Sequence, residues 1–157
     1  GHAVTGGGWP SYYAEEHQSN AHTMAAMLTS LVLEGIPERF PKLRIVFIEG
    51  GFGWIPSTMW RMDQHFEKFR SEVPHLKRRP SEYVKEHFWF TTQPIDEPDE
   101  ARHLRSLIEW VGVDRLLFSS DYPHWDFDDP RYAFKTPLTE VERGKIFNSN
   151  ARGVYRL

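Results

Sequence analysis

The residues best suited to chemistry crowd one stretch, RLLFSSDYPHWDFDDP at positions 115–130. Asp121 follows directly on an apolar run, and a buried strand fixes the position of whatever stands at its end. A carboxylate there can ligate a divalent cation or accept a proton from cation-bound water. His124 offers a nitrogen ligand or an acid–base group. Asp126, Asp128 and Asp129 stand before Pro130 and read instead as turn-forming carboxylates.

Two further apolar runs end in polar groups. Glu49 stands beside Gly50 and Gly51, whose missing side chains let backbone or ligand approach closely, and it is a candidate ligand, base or substrate contact. Thr91, Thr92 and Gln93 close the other run. Other histidines are poorer candidates. His17 and His22 are five residues apart, so one helix cannot aim both at one ion, while His65, His75, His87 and His103 fall in helical or connecting contexts and His2 at the start. With no cysteine, any metal must be held by nitrogen and carboxylate oxygen, from eight His and 22 Asp plus Glu. The motifs H-x-H, H-E-x-x-H and G-x-S-x-G do not occur, nor does a phosphate-binding glycine loop.

Periodicity supplies the elements that must position these groups. Residues 1–17 open with glycines and a Trp-Pro step and are expected to form a loop. Met24, Met27, Leu28 and Leu31 mark a helix face, stopped by Gly35 and Pro37. LRIVFIEGG is a short branched run suited to a strand buried on both faces, as in a parallel sheet. Ile55, Met59, Met62, Phe66 and Phe69 then recur at helical spacing until Pro74. The unit repeats: HFWFTTQ forms a second strand, and Leu104, Leu107, Ile108 and Val111 a helix face ended by Gly112, with Pro98 near its first turn. RLLFSS makes a third strand, and a last helix starts near Thr139, where Glu142 can complete a capping box. Alternating strands and helices define an α/β chain with parallel strands, whose loops at the carboxyl ends of the strands gather function. No linker or low-complexity tract divides it, so residues 1–157 form a single domain or a piece of one.

Composition narrows the classes. A net charge of −3 gives no electrostatic case for nucleic acid, and no apolar run is long enough to span a bilayer. Nothing at the start reads as a signal peptide, and the expected location is cytoplasmic.

Taken in order, RIVFIEGGFGWIPSTMWRMDQHF, FTTQP, DRLLFSSDYPHWD and NARGVYRL resemble the amidohydrolase-related proteins, metal-dependent (β/α)8-barrel hydrolases and decarboxylases such as aminocarboxymuconate-semialdehyde decarboxylase. The resemblance covers the chain from about Trp9 to Leu157. It implies the C-terminal part of a TIM barrel, with these strands as the sixth, seventh and eighth. Asp121 then matches the family's metal-binding, proton-handling Asp, with zinc the expected divalent ion, a small organic molecule the substrate, and His124, Glu49 and Trp125 shaping the substrate pocket. The family's H-x-H pair has no counterpart, and Glu49 stands where many relatives carry His, so the chain by itself is expected to be inactive and not to hold zinc tightly. A partial barrel leaves strand edges and an apolar inner face open, which predicts a homo-oligomer or association with a missing N-terminal half. A second reading is a non-catalytic half-barrel that oligomerises through GWPSYY and FGWIPSTMW.

Overall fold

The computed structural model describes residues 8–157; His2 and the first glycines lie outside the described residues. The chain begins with α1 (Tyr13–Leu33) and α2 (Ile36–Arg39), then enters β1 (Ile45–Phe47), α3 (Ile55–Lys68), α4 (Pro80–His87) and β2 (Phe88–Thr91). It continues through α5 (Ala101–Val111), a 3-10 turn (Val113–Arg115) and β3 (Leu116–Leu117). It closes with α6 (Glu140–Gly144), a π-helical turn (Lys145–Ser149) and α7 (Asn150–Tyr155). The three strands form one parallel sheet in the order β1-β2-β3, with Phe47 opposite Phe90, Phe90 opposite Leu116 and Thr91 opposite Leu117. Parallel neighbours require crossovers, and α3, α4 and α5 provide them.

Register and alternation separate the two faces of the sheet. Ile45, Phe47, Phe88, Phe90 and Leu116 share one face, and the helices cover it. The ring of Phe47 lies 6.0 Å from Phe88 and 5.8 Å from Phe90, and Trp54 meets Phe90 edge-on at 6.0 Å. Ile55, Met59, Met62 and Phe66 of α3, with Leu104, Ile108 and Val111 of α5, complete this core. The opposite face carries Val46, Ile48, Trp89, Thr91 and Leu117. It is less open than the sequence suggests. Ile48 is exposed, but Val46 and Trp89 are half-buried and Thr91 and Leu117 fully buried. Arg115 lies over the Trp89 ring at 4.7 Å, shielding the amino end of this face.

Several local expectations change. α1 starts at Tyr13, so Tyr13–His17 are helical rather than loop. Glu15 and Glu16 favour that first turn through the helix dipole, and Glu15 also accepts from the Ser11 amide at 2.9 Å. The buried stripe of α1 runs through Leu28 and Val32, which rotates Met27 into solvent. Pro98 lies ahead of Glu100, the N-cap of α5, and so outside the helix. Phe69 is the C-cap of α3 and half exposed. α4 has no counterpart in the sequence reading, because Arg79 is an atypical N-cap; Pro80 opens the helix and the Glu82 carboxylate accepts from the Arg79 amide at 2.9 Å. The Thr139–Glu142 capping box is present, with Glu142 N donating to Thr139 Oγ1 at 3.2 Å and Thr139 N to Glu142 Oε2 at 2.9 Å.

Asn150 anchors the C-terminal helices by donating to the carbonyls of Val113 at 2.8 Å and Leu116 at 2.9 Å. The Phe118 amide donates to Ile146 O, so the segment leaving β3 is tied to the π-helical turn. Because Phe90 is 1% exposed and sits at the centre of the aromatic layer, Phe90→Ala should lower unfolding free energy by about 3–5 kcal/mol in urea denaturation.

Candidate metal centre

The segments that leave the carboxyl ends of β1 and β3 converge and bring three of the expected residues together. Ligand atoms of Glu49, Asp121 and His124 all lie within 4.8 Å of one another. His124 Nδ1 is 2.9 Å from Asp121 Oδ2, and His124 N donates to Asp121 O at 2.9 Å, so a single turn presents both side chains.

Backbone conformation explains how Glu49 and Asp121 reach this position. Both have left-handed φ, 61° at Glu49 and 57° at Asp121, where residues other than glycine rarely sit. Continued strand alternation would point residue 49 with Phe47 toward the helices. The left-handed turn re-aims it, and Thr91 Oγ1 holds it by accepting from the Glu49 amide at 3.1 Å. Gly50 and Gly51 serve intramolecular packing rather than ligand approach. A Cβ at Gly50 would lie 1.9 Å from Met24 Sδ, and one at Gly51 2.7 Å from Asp96 Oδ2 and 2.8 Å from Pro94 O.

Gathered acids raise one another's proton affinity. Glu49 is held above the ordinary carboxylate range, first by its hydrogen bond with Asp121, then by burial and by the charge of Asp121; His124 acts in the opposite sense. Two carboxyl groups and an imidazole in contact form a donor set suited to zinc or manganese, and a cation would offset the repulsion between the two carboxyl groups.

The cleft around these groups has a volume of about 360 Å³ and includes Trp125, Tyr13, His17, Gln93 and Asp126. Trp125, expected to shape a substrate pocket, lines this cleft and is 74% exposed. The turn reading of the remaining acids holds only for Asp129, whose Oδ1 accepts from the Arg131 amide at 2.9 Å. Asp126 instead reaches across the chain to His17 Nε2 at 3.1 Å, and Asp128 accepts from the Ile95 amide at 3.3 Å. Sequence reasoning missed His17 because it was weighed only as half of a pair with His22; no local signal links it to a partner 109 residues away.

Three parallel strands with an acid–imidazole cluster at their carboxyl ends define an α/β fold with a candidate metal site. The amidohydrolase family pattern matches residues 6–157, and the chain belongs to the amidohydrolase family. Gamma-resorcylate decarboxylase of Rhizobium sp. (strain MTP-10005) is 32% identical over 140 residues, covering 87% of this chain and 41% of that protein. The structure of 5-carboxyvanillate decarboxylase from Sphingomonas paucimobilis is similar with a TM-score of 0.68 at 28% identity, over 87% of this chain and 41% of its own. A dihydroxybenzoic acid decarboxylase from Polaromonas sp. JS666, solved with bound manganese and the inhibitor 2-nitroresorcinol, gives a TM-score of 0.68 at 28% identity with the same coverage. This chain spans about two fifths of the length of the curated relatives it matches. The solved relatives are amidohydrolase TIM-barrel proteins, and a divalent metal is a feature of the family. The metal seen in the Polaromonas relative is manganese, where the sequence resemblance suggested zinc. Among the described residues no helix is long and apolar enough to cross a membrane.

Beside the cluster, burial pushes the Asp128 carboxyl up to about 6, more than the Ile95 amide lowers it. Between an unfolded value of about 4 and the folded value of about 6, the folded chain holds the extra proton. Stability linked to this group is therefore present at low pH and lost as pH rises through about 6. Thermal melts should show the wild type losing about 1–2 kcal/mol relative to Asp128→Asn between those limits, a figure discounted for partial exposure.

Proposed function

We propose that this chain carries the carboxyl-end portion of a divalent-metal site acting on a small aromatic carboxylic acid, with decarboxylation as the reaction. β1, β2 and β3 serve as the sixth, seventh and eighth strands of a (β/α)8 barrel. Convergence of Glu49, Asp121 and His124 within 4.8 Å carries this reading, and the decarboxylase relatives support the reaction class. Glu49, Asp121 and His124 would hold the ion, which when bound polarises oxygen atoms of the substrate. Loss of the carboxyl group as carbon dioxide leaves a ring carbon that must take up one proton. Asp121, at the strand end beside the ion, is the group that would hold and deliver it. Trp125 contributes an apolar wall for the ring.

Three donors are few for tight binding plus catalysis, and the chain matches only 41% of its relative's length. Turnover therefore belongs to a complete barrel, assembled with further chain or a partner, and not to these 157 residues alone. The alternative of a non-catalytic domain joined through aromatic surfaces has mixed support. Trp9, Tyr12 and Trp60 are exposed, but Trp54 is committed to the core against Phe47 and Phe90.

Isothermal titration of the metal-free chain with Mn²⁺ or Zn²⁺ should give one site per chain. Asp121→Ala and His124→Ala should each weaken it more than about tenfold, roughly 1.4 kcal/mol. Absence of any binding would refute the metal centre, and release of carbon dioxide from 2,6-dihydroxybenzoate by the chain alone would refute its dependence on a complete barrel.

A further inference from the structure

The sheet has a second hollow, at the end opposite the cluster of Glu49, Asp121 and His124. Residues 41–44, 86–87 and 114–115 lead into the amino ends of β1, β2 and β3, and with α7 they border a space of about 520 Å³. No residue lines both this hollow and the cleft around Asp121. Charge in the hollow does not balance. Lys42, Arg44, Arg115 and Arg156 line it together with Glu86 and Asp114. Each of the two carboxylates is already matched by a cation outside the lining: Arg78 pairs with Glu86, and Lys145 Nζ lies 2.8 Å from Asp114 Oδ1. The four lining cations have no such match. Arg44 Nη1 donates to the carbonyl of Gly153 and, at 3.0 Å, to that of Val154, and Arg115 Nη1 donates to Glu86 O at 3.3 Å. The side chains of Lys42 and Arg156 make no hydrogen bond or ion pair among the described residues.

Arg115 carries the argument furthest. It is half-buried, with its guanidinium 4.7 Å from the centre of the Trp89 ring. Burial lowers its proton affinity more than the charges of Asp114 and Glu86 raise it. A cation taken out of water without a counterion is costly, and an anion that joins it offsets the cost. The chain as a whole carries a net charge of −3, so the positive surplus belongs to this hollow and not to the surface at large. Guanidinium groups present planar forks of donors that match carboxylate and phosphate oxygens, and Arg44 keeps Nη2 and Nε without acceptors.

We propose that this hollow binds a small polyanion, a phosphate ester or a polycarboxylate. Arg115 is the contact held in place by Trp89, and Arg44 the contact held by the end of α7. Lys42 and Arg156 close over the anion from exposed positions. Cations spread around a space of this size favour an anion with more than one charged group over a monoanion. The site is independent of the metal centre, with which it shares no residue.

Titration calorimetry of the metal-free 157-residue chain at low salt, with tripolyphosphate in one arm and citrate in the other, should give one site per chain for at least one of them. The tighter of the two identifies the ligand as phosphate or polycarboxylate, and acetate should bind at least about tenfold more weakly than either partner that binds. Arg115→Gln and the double variant Lys42→Gln/Arg156→Gln should each weaken the binding at least about tenfold. If Arg115→Gln does not fold, the double variant carries the test, because its two side chains are exposed and hold nothing else in the fold. Arg61→Gln/Lys68→Gln removes the same charge from exposed positions of α3 and should change the affinity less than about twofold. No binding of either polyanion at millimolar concentration, equal binding of acetate, an affinity unchanged in Lys42→Gln/Arg156→Gln, or an equal loss in the α3 variant would overturn the proposal.

Discussion

The face-to-helix contact of Phe47, Phe88 and Phe90 is the constraint on which the other features depend. Phe47 is paired with Phe90 and Ile45 with Phe88 on two adjacent strands, so a one-residue slip between β1 and β2 would carry a phenylalanine out of the core. Fixed register places Glu49 two residues beyond Phe47 and Thr91 one beyond Phe90. The hydrogen bond from the Glu49 amide to Thr91 Oγ1 forms only at that offset. The Thr92 amide donates to Leu117 O, and the Ser119 amide to Thr92 Oγ1 at 3.3 Å, extending the same alignment to β3. Apolar packing on one side of a short sheet thus determines where charged groups end up beyond its far end.

At that end, electrostatics works against the fold. Glu49 and Asp121 approach although their charges repel, and the shared hydrogen bond that holds them requires a proton. Elsewhere the acids are matched with cations. Arg105 binds Glu142 at 3.0 Å and Glu109 at 2.8 Å, and Glu142 is correspondingly lowered to about 2. The contrast between paired acids on the helices and crowded acids in the cleft is the pattern that makes the cleft the candidate site.

Legibility in the sequence followed the range of the interactions involved. Strand positions and the α3 and α5 faces were visible because alternation and 3.6-residue spacing are local patterns, and Thr139-x-x-Glu142 announced its own cap. Asp121 was visible because it directly follows an apolar run. His124 could be paired with it, being only three residues away. Other features left no local trace. His17 meets Asp126 only through the tertiary fold, and the left-handed turns at Glu49 and Asp121 occur at residues that ordinarily avoid them. α4 escaped because its N-cap is an arginine, and the inner sheet face proved better covered than a count of strands implies.

The positive φ values at Glu49 and Asp121 put activity and robustness in competition. Glycine would adopt either backbone conformation with less strain, so random drift toward a more stable chain passes through these two positions. A lineage freed from selection for catalysis would be expected to lose these carboxylates early, while the phenylalanine layer persists. Backbone strain at both acids is thus a standing cost to stability that sits at the mouth of the cleft and that a glycine would relieve.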